Sequence, residues 1–568
     1  MTVSEFIAEY LYSQGVDCVF EMIGGMTVRM IDAIYRQGGI KIISLHHEQS
    51  AAFAACGWAQ VKGVPGVALA TSGPGATNLV TGIGTAYFDS IPAVFITGQV
   101  NQSELSTGTK CRQIGFQETD IVSIAKPITK MSMQLQKAQD ITELLPVAFR
   151  TAQEGRPGPV LVDIPMNLQK EEIDCSGFDF SPIKTDNPLP SAEEIKRFIE
   201  KMNAGLKKSR RPLMLLGTGV IRSHTEKETR RFAEEKQIPA VYSWHGKGIL
   251  CSECKWSIGL TGTNGNRWAN RALAHCDFLL ILGSRTDVRQ IGANTQAFSD
   301  GKSIFHIDID DAELNNRLKE TNTLCADLKT VIPLLMEQVK DMSDSQAWLK
   351  EIMKDREENP DVEELSHISG INPNDFIHKI GAMAGNDAVG YVSGVGVNRT
   401  WVSQSLYLKE GQYYITTPSM GSMGFALPAA IGASVAGGGS KLVVVAGDGG
   451  MQCNIQELEV VNRLALPLKM AVMKNNALAT VRQFQKEICG GRLPGSDWTF
   501  GAPDFVKVGE AYGIASDRAE KPEEIGEKIE KFISGNTPAL LEVIIDKEAG
   551  AYPKMQFGHN LDDMFPFR

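Results

Sequence analysis

Two oxygen-bearing side chains, Asp448 and Asn475, stand 27 residues apart just past two apolar runs, and that pattern suits a divalent metal. The first run, Leu442-Val-Val-Val-Ala446, reads as a central parallel strand that delivers Gly447-Asp448-Gly449-Gly450 at its carboxyl end. The second, Leu468–Met473, ends at Lys474-Asn475-Asn476. Between them Ile455, Leu458, Val461 and Leu464 share one face of a helical repeat, and a right-handed crossover would set the two strand ends side by side. Magnesium prefers hard oxygen ligands in octahedral geometry and commonly takes one or two protein groups plus phosphate oxygens and water. Asp448 would supply charge, Asn475 a neutral carbonyl, and the backbone carbonyl of Ala477 a third oxygen. The glycines at 447, 449 and 450 would turn backbone N–H groups toward phosphate oxygens.

A second candidate is Glu48, in His46-His47-Glu48-Gln49-Ser50, which reads as a strand end followed by a helix start. Taken alone, Glu48 is a helix-terminal carboxylate of the kind the macrodipole favours. His46 and His47 read as strand-end histidines, with proton donation as the alternative. Nearby lie a glycine turn, Ile23-Gly24-Gly25, the loop Ser72-Gly-Pro-Gly-Ala-Thr-Asn78, and Gly115-Phe-Gln-Glu-Thr-Asp120.

The elements that position these groups alternate between strand and helix patterns along the whole chain, which indicates parallel sheets. At 568 residues the chain is too long for one core. We read three consecutive doubly wound α/β domains, over residues 1–170, 189–340 and 371–568. A polar, proline-bearing stretch near Gln169–Pro190 reads as a linker, and a charged one near residues 340–370 as a solvated connecting helix and a second linker. Apolar runs predict strands at Gly66–Ala70, Ala93–Thr97, Pro159–Ile164, Pro212–Leu216 and Phe278–Leu282, and an amphipathic helix over Ser4–Gln14 with Ser4 as its cap. Sheets of this kind bind ligands beyond the carboxyl ends of their strands.

A net charge of −10 argues against nucleic acid or an anionic membrane surface as a partner. No apolar run approaches the ~18–20 residues of a membrane span. Ten scattered cysteines, including the Cys251/Cys254 pair, lack zinc-site spacing and fit a reducing cytoplasm.

Together these motifs resemble the thiamin-diphosphate enzymes, and across nearly the whole chain the acetolactate synthase branch. The Gly-Asp-Gly with an Asn about 27 residues on is similar to the family's metal–diphosphate signature. In the family an Asn-Asn pair precedes the loop and its second member is the ligand. The ungapped fit puts Asn475 there and Lys474 in place of the first; the alternative pair would make Asn476 the ligand. The resemblance implies that Glu48 bonds the cofactor's aminopyrimidine and favours the tautomer that removes the thiazolium C2 proton. It implies that Ser419-Met-Gly-Ser-Met-Gly424 holds the pyrimidine, with backbone bonds from Gly421 and Met423 and the Met423 side chain beneath the thiazolium. Ser72 and Asn398 would contact the cofactor. Gly25 would leave room beside the thiazolium, and Phe116, Gln117 and Arg289 would shape the acceptor pocket. Asp277–Arg289 and Phe305–Asp310 resemble the segments that hold FAD, with Arg285 and Asp308 as its contacts. The family architecture implies a homodimer or homotetramer with the active site at the subunit interface.

The implied reaction is decarboxylation of pyruvate or a related 2-oxo acid, with transfer of the two-carbon unit to a keto acid, keto-sugar or aldehyde. Release of a free aldehyde is the alternative outcome. A non-catalytic nucleotide-binding relative would have no need of Glu48. Several positions depart from acetolactate synthase itself: Met166 for a lysine, Phe484 for a tryptophan, Val397-Asn398 for Gln-His, and Val288 for an acid. The segments Thr97-Gly-Gln-Val100, Arg112–Asp120 and Gly283–Gln290 are similar to those of acetolactate-synthase-like proteins of surface-polysaccharide and unusual-sugar synthesis.

Overall fold

In the computed structural model, residues 1–340, 345–385 and 388–567 are described. Among them, three six-stranded, wholly parallel sheets lie in succession along the chain, with helices on their faces. The first sheet runs in the order Lys41–Ser44, Cys18–Met22, Gly66–Ala70, Ala93–Gln99, Pro159–Pro165, Met131–Gln134. The third repeats that order with Tyr413–Ile415, Gly390–Ser393, Leu442–Gly447, Leu468–Lys474, Ala539–Ile544 and Ala515–Ala519. The middle sheet differs. Its order is Asn322–Cys325, Ser303–Asp308, Phe278–Leu282, Pro212–Leu216, Ala240–Tyr242, Ser257–Leu260. The order in which strands are added reverses between Phe278–Leu282 and Pro212–Leu216, which is the arrangement of dinucleotide-binding folds.

The two outer domains pack through equivalent helices, each the one that follows the second strand of its sheet: Glu48–Lys62 and Ala426–Ala436. Both are rich in alanine and glycine, so their backbones approach closely. A Cβ added at Gly57 would lie 2.0 Å from the Ala429 carbonyl oxygen, and one at Gly432 would lie 1.9 Å from that of Ala54. Their side chains join one buried apolar cluster that runs through both outer domains.

Three expectations need correction. The first helix spans Val3–Ser13 and its cap is Thr2, not Ser4: the Thr2 hydroxyl accepts from Glu5 N, and the Glu5 carboxylate accepts from Thr2 N. Ser4 instead donates to the Gln169 carbonyl at 3.0 Å, tying the helix to the end of the domain. The stretch after the first domain is not a free linker, because Phe178 and Phe180 pack edge-on and tilted against Phe6. The helix expected in the charged segment after the middle domain is present, Gln346–Glu358, but it is not simply solvated: it buries Trp348, Leu349 and Ile352 in the middle-domain core. Residues 341–344 of that stretch lie outside the described residues.

Candidate active site

The strands Leu442–Gly447 and Leu468–Lys474 are neighbours in register, with Gly447 opposite Met473, so the crossover sets their carboxyl ends side by side as expected. Beyond those ends opens a cavity of about 630 Å³. Asp448 and Asn475 line it, together with Gly447, Gly449, Gly450, Asn398, Gly421, Met423 and Ala477. Asp448 is 2% exposed. One of its carboxylate oxygens accepts from Gly449 N at 2.7 Å, and the other from Asn475 N at 3.1 Å and Asn476 N at 2.7 Å. Burial pushes this carboxyl above its ordinary pKa, and the three N–H groups and Lys474 pull it back. The Asn475 side-chain oxygen is held by Ala477 N at 3.0 Å. Asn476, at φ +51°, is exposed and does not line the cavity, so the turn presents Asn475 and not its neighbour. Lys474 faces away, donating to the Pro503 carbonyl at 2.7 Å. Among the described residues no three His, Cys, Asp or Glu side chains cluster as a metal site, and the candidate ligand set here is one carboxylate with neutral oxygens.

Three helices begin at this cavity: Val397–Ser405, Asp448–Gln452 and Ala479–Ile488. Their first N–H groups have no intrahelical partners, and converging helix N-termini make a phosphate site. Gly396, at φ +92°, shapes the first of these turns. Gly449 permits close approach, since a Cβ there would meet Leu478 at 2.7 Å and Met423 Cε at 3.4 Å. The Met423 side chain therefore stands over the glycine turn, half-exposed at the mouth of the cavity.

Glu48 is placed differently. It opens the helix Glu48–Lys62, is 7% exposed, and accepts from Asn78 Nδ2 at 2.9 Å. Asn78 lies in the loop that the sequence marked, but its role as the partner that orients Glu48 was not read from it. His47 caps the helix, its Nδ1 accepting from Gln49 N at 3.0 Å, while His46 lies against Glu457 and Glu459. A Cβ added at Gly25 meets nothing within 4 Å, so open space does lie there. Gln117 sits at φ +65° against Gly73, and Phe116 is 79% exposed beside it. Ser72 is buried, and its hydroxyl has no partner among the described residues and no exposure. None of Glu48, Gly25, Ser72, Phe116 and Gln117 lines the cavity of Asp448. Within one chain the expected site is in two separate halves.

A second cleft lies at the reversal point of the middle sheet, lined by Thr218, Gly219, Ser284, Arg285, Arg289 and Asp308 among others. Burial pushes the Asp308 carboxyl up to about 6. Buried Nδ1 of His245 and Nε of Arg222 have no partners among the described residues. Gly217, Gly219 and Gly283 serve strand-loop packing: a Cβ at Gly219 would lie 2.6 Å from Gly283 Cα. Phe88, Trp244, Arg285, Asp287 and Arg289 form a wall shared with the larger cavity. Val288 is exposed on the larger cavity's side.

Residues 1–124 match the thiamine pyrophosphate enzyme N-terminal TPP binding domain, residues 199–335 the central domain, and residues 394–543 the C-terminal TPP binding domain. The chain is 34% identical to the acetolactate synthase large subunit of Lactococcus lactis, over 99% of this chain and 95% of that one. It is equally similar, at 34% and the same coverage, to a probable acetolactate synthase large subunit of Methanocaldococcus jannaschii. Identity to the isozyme 2 large subunit of Escherichia coli is 32%, over 99% of both chains. The chain therefore belongs to the thiamin-diphosphate enzymes, in the acetolactate synthase large-subunit family. Among the described residues no helix is long and apolar enough to cross a membrane.

Proposed function

We propose that this protein decarboxylates a 2-oxo acid, with pyruvate as the donor, and joins the two-carbon unit to a carbonyl acceptor. The observation that carries this reading is the cavity in which Asp448, Asn475 and three helix N-termini converge, in a chain similar end to end to acetolactate synthases. Thiamin diphosphate, when bound, would supply carbon-nucleophile chemistry toward the donor's carbonyl. The residues present fit that group. Asp448, Asn475 and the Ala477 carbonyl supply hard oxygens for Mg²⁺, which neutralises the diphosphate. The helix N-termini and the glycines of the Gly447–Gly450 turn bind its oxygens. Asn398 closes one side. Gly421 and Met423 hold the pyrimidine, and Glu48 with its Asn78 partner fixes a carboxyl group at the ring nitrogen that needs it. Gly25, Phe116, Gln117 and Arg289 bound the acceptor.

The two half-sites meet in a dimer on this reading, the first domain of one subunit against the third domain of its partner. Exposed apolar side chains ring each half: Met22, Ile23 and Phe116 on one, and Met420, Met423 and Phe484 on the other. Such exposed apolar groups mark association surfaces.

FAD in the middle-domain cleft is a further part of the proposal. The strand order, Arg285, Asp308 and the unpartnered His245 Nδ1 suit a dinucleotide. The cleft's own free volume is about 140 Å³. Ligand pockets begin near 300 Å³, so a flavin must widen the cleft or extend over the shared wall. A yellow protein with flavin absorbance supports this, and a colourless one that takes up no added FAD removes it.

Val288, Phe484 and Met166 leave the acceptor as a keto acid, a keto-sugar or an aldehyde, the keto-sugar fitting the resemblance to unusual-sugar enzymes. The ten unpaired cysteines suit a cytoplasmic enzyme. Incubation with pyruvate, Mg²⁺ and thiamin diphosphate tests the donor. Release of CO₂ with a new carbon–carbon product is expected. Aldehyde alone with every acceptor would reduce the protein to a decarboxylase, and no CO₂ from pyruvate or its near homologues would sink the donor assignment.

A further inference from the structure

Asp89 follows the helix Val80–Phe88 of the first domain and is 4% exposed. Its carboxylate crosses to the third domain, 328 and 330 residues along the chain. One oxygen accepts from the Thr417 hydroxyl at 2.6 Å and the other from Ser419 N at 2.9 Å. The same helix reaches this loop again through Thr85, whose hydroxyl lies 2.7 Å from that of Ser422. Other grips on the segment come from elsewhere. His245 of the middle domain accepts from Thr416 N at 3.4 Å, and Arg285 donates to the Ser419 hydroxyl at 3.1 Å. Arg399 of the third domain donates to the Thr417 carbonyl at 3.0 Å. Arg222 of the middle domain donates to the Asp89 carbonyl at 3.4 Å, so its positive charge lies close to this knot.

This segment leads straight into Gly421 and Met423. Gly421, at φ +68°, has open space around its Cα, and Gly424 lies at φ +84°. A glycine-rich loop has many conformations to lose, and beyond the Thr85–Ser422 contact and the Asn454 bond to the Gly424 carbonyl little holds Gly421 and Met423 themselves. Fixation comes from the ends, and of these Asp89 is the only group that accepts from both a side chain and a backbone N–H of the strap 416–419. The Asp89 carboxyl is also buried, the setting in which a hydrogen bond counts most, and burial pushes its pKa up against the pull of Thr417 and Ser419.

We infer that Asp89 is a positioning residue for the cofactor: by holding Thr417 and Ser419 it sets where Gly421 and Met423 stand above the metal–diphosphate turn. The inference rests on the reading of that loop as the pyrimidine clamp. Asp89 lines the middle-domain cleft and not the cavity of Asp448, so it does not reach a thiamin diphosphate bound there. It acts through the loop, from a domain whose other contribution, Glu48, serves the opposite half-site.

The test is a double-mutant cycle on cofactor affinity, read as quenching of intrinsic fluorescence by thiamin diphosphate with Mg²⁺ present. Asp89→Asn keeps the shape, removes the charge and turns a donor toward one of the two groups. It is expected to raise the dissociation constant about tenfold, the usual scale for losing one charge-assisted hydrogen bond. Thr417→Val is expected to act in the same direction while leaving Asp89 and Arg222 together, and it serves if Asp89→Asn fails to fold. Met423→Ala reports on the loop's own contact. If Asp89 works through the loop, Asp89→Asn has little further effect in the Met423→Ala background. Additive effects mean that Asp89 is merely structural and overturn the inference. A change with Met423→Ala but none with Asp89→Asn or Thr417→Val overturns it while the clamp reading stands. No change with any of the three overturns both.

Discussion

Replacing Glu48 by Gln lowers turnover by about 10²–10⁴-fold, the range associated with loss of a positioned acid–base group. Glutamine has the size of glutamate, and its carbonyl can still accept from Asn78 Nδ2, which the native carboxylate meets at 2.9 Å. The helix that Glu48 opens is capped by His47 and not by Glu48, so the fold does not depend on the charge. Cofactor affinity and melting temperature are therefore expected to stay near their native values while hydrogen–deuterium exchange at the cofactor's C2 slows with turnover. An unchanged exchange rate would remove Glu48 from the chemistry. A general collapse of stability would instead make it a structural carboxylate.

Asp448→Asn has the second large effect, on binding and not on the chemical step. The native carboxylate accepts three backbone N–H groups, from Gly449, Asn475 and Asn476. An asparagine amide can satisfy only the oxygen side of that set, and it brings no charge to a Mg²⁺ ion. At about 1.5–3 kcal/mol for a hydrogen bond to a charged group, affinity for the metal–cofactor pair falls on the order of 10- to 100-fold. Raising Mg²⁺ recovers part of the loss, and a chelator abolishes binding in the native protein as well. Fluorescence titration at two Mg²⁺ concentrations checks both points. Equal affinity in the native and variant proteins would contradict the metal assignment.

The parts of this fold that could be read from sequence are those where one physical term dominates. Gly66–Ala70, Pro212–Leu216 and Phe278–Leu282 are buried on both faces, so their apolar runs mark them directly, to the residue. Edge strands such as Met131–Gln134 and Ala515–Ala519 are only part-buried and mix polar with apolar side chains, so no periodicity announces them. The segment from Asn454 to Leu464 has the spacing of one helix but is broken into a 3₁₀ turn and the short helix Leu458–Arg463. There Asn454 turns inward to donate to the Gly424 carbonyl, a tertiary bond that no local pattern carries.

The site divides the same way. The placement of Asp448 and Asn475 beside one cavity was legible because both sit at the ends of strands that the sequence marks, and Asn475 lines that cavity while Asn476 turns outward at positive φ. Asp89 and Asn78 were not, since each is one polar residue whose partner lies 30 or more residues away in sequence. On the proposed dimer, the separation of Glu48 from Asp448 is a matter of assembly. A single chain's sequence names the residues of both halves but not which copies meet.

Mixing two impaired variants, assayed at a cofactor concentration that saturates the native protein but leaves Asp448→Asn empty, tests that central claim most directly. Glu48→Gln and Asp448→Asn subunits, unfolded or dissociated together and allowed to reassociate, form mixed dimers. If each site takes Glu48 from one subunit and Asp448 from the other, a mixed dimer has one intact site and one doubly damaged site. With half the dimers mixed, CO₂ release from pyruvate is expected to return to about a quarter of the native value, as the symmetry of a two-site dimer requires. Mixed dimers that form and release no more CO₂ than the parent variants would show that the two residues act within one chain, or not in one site at all.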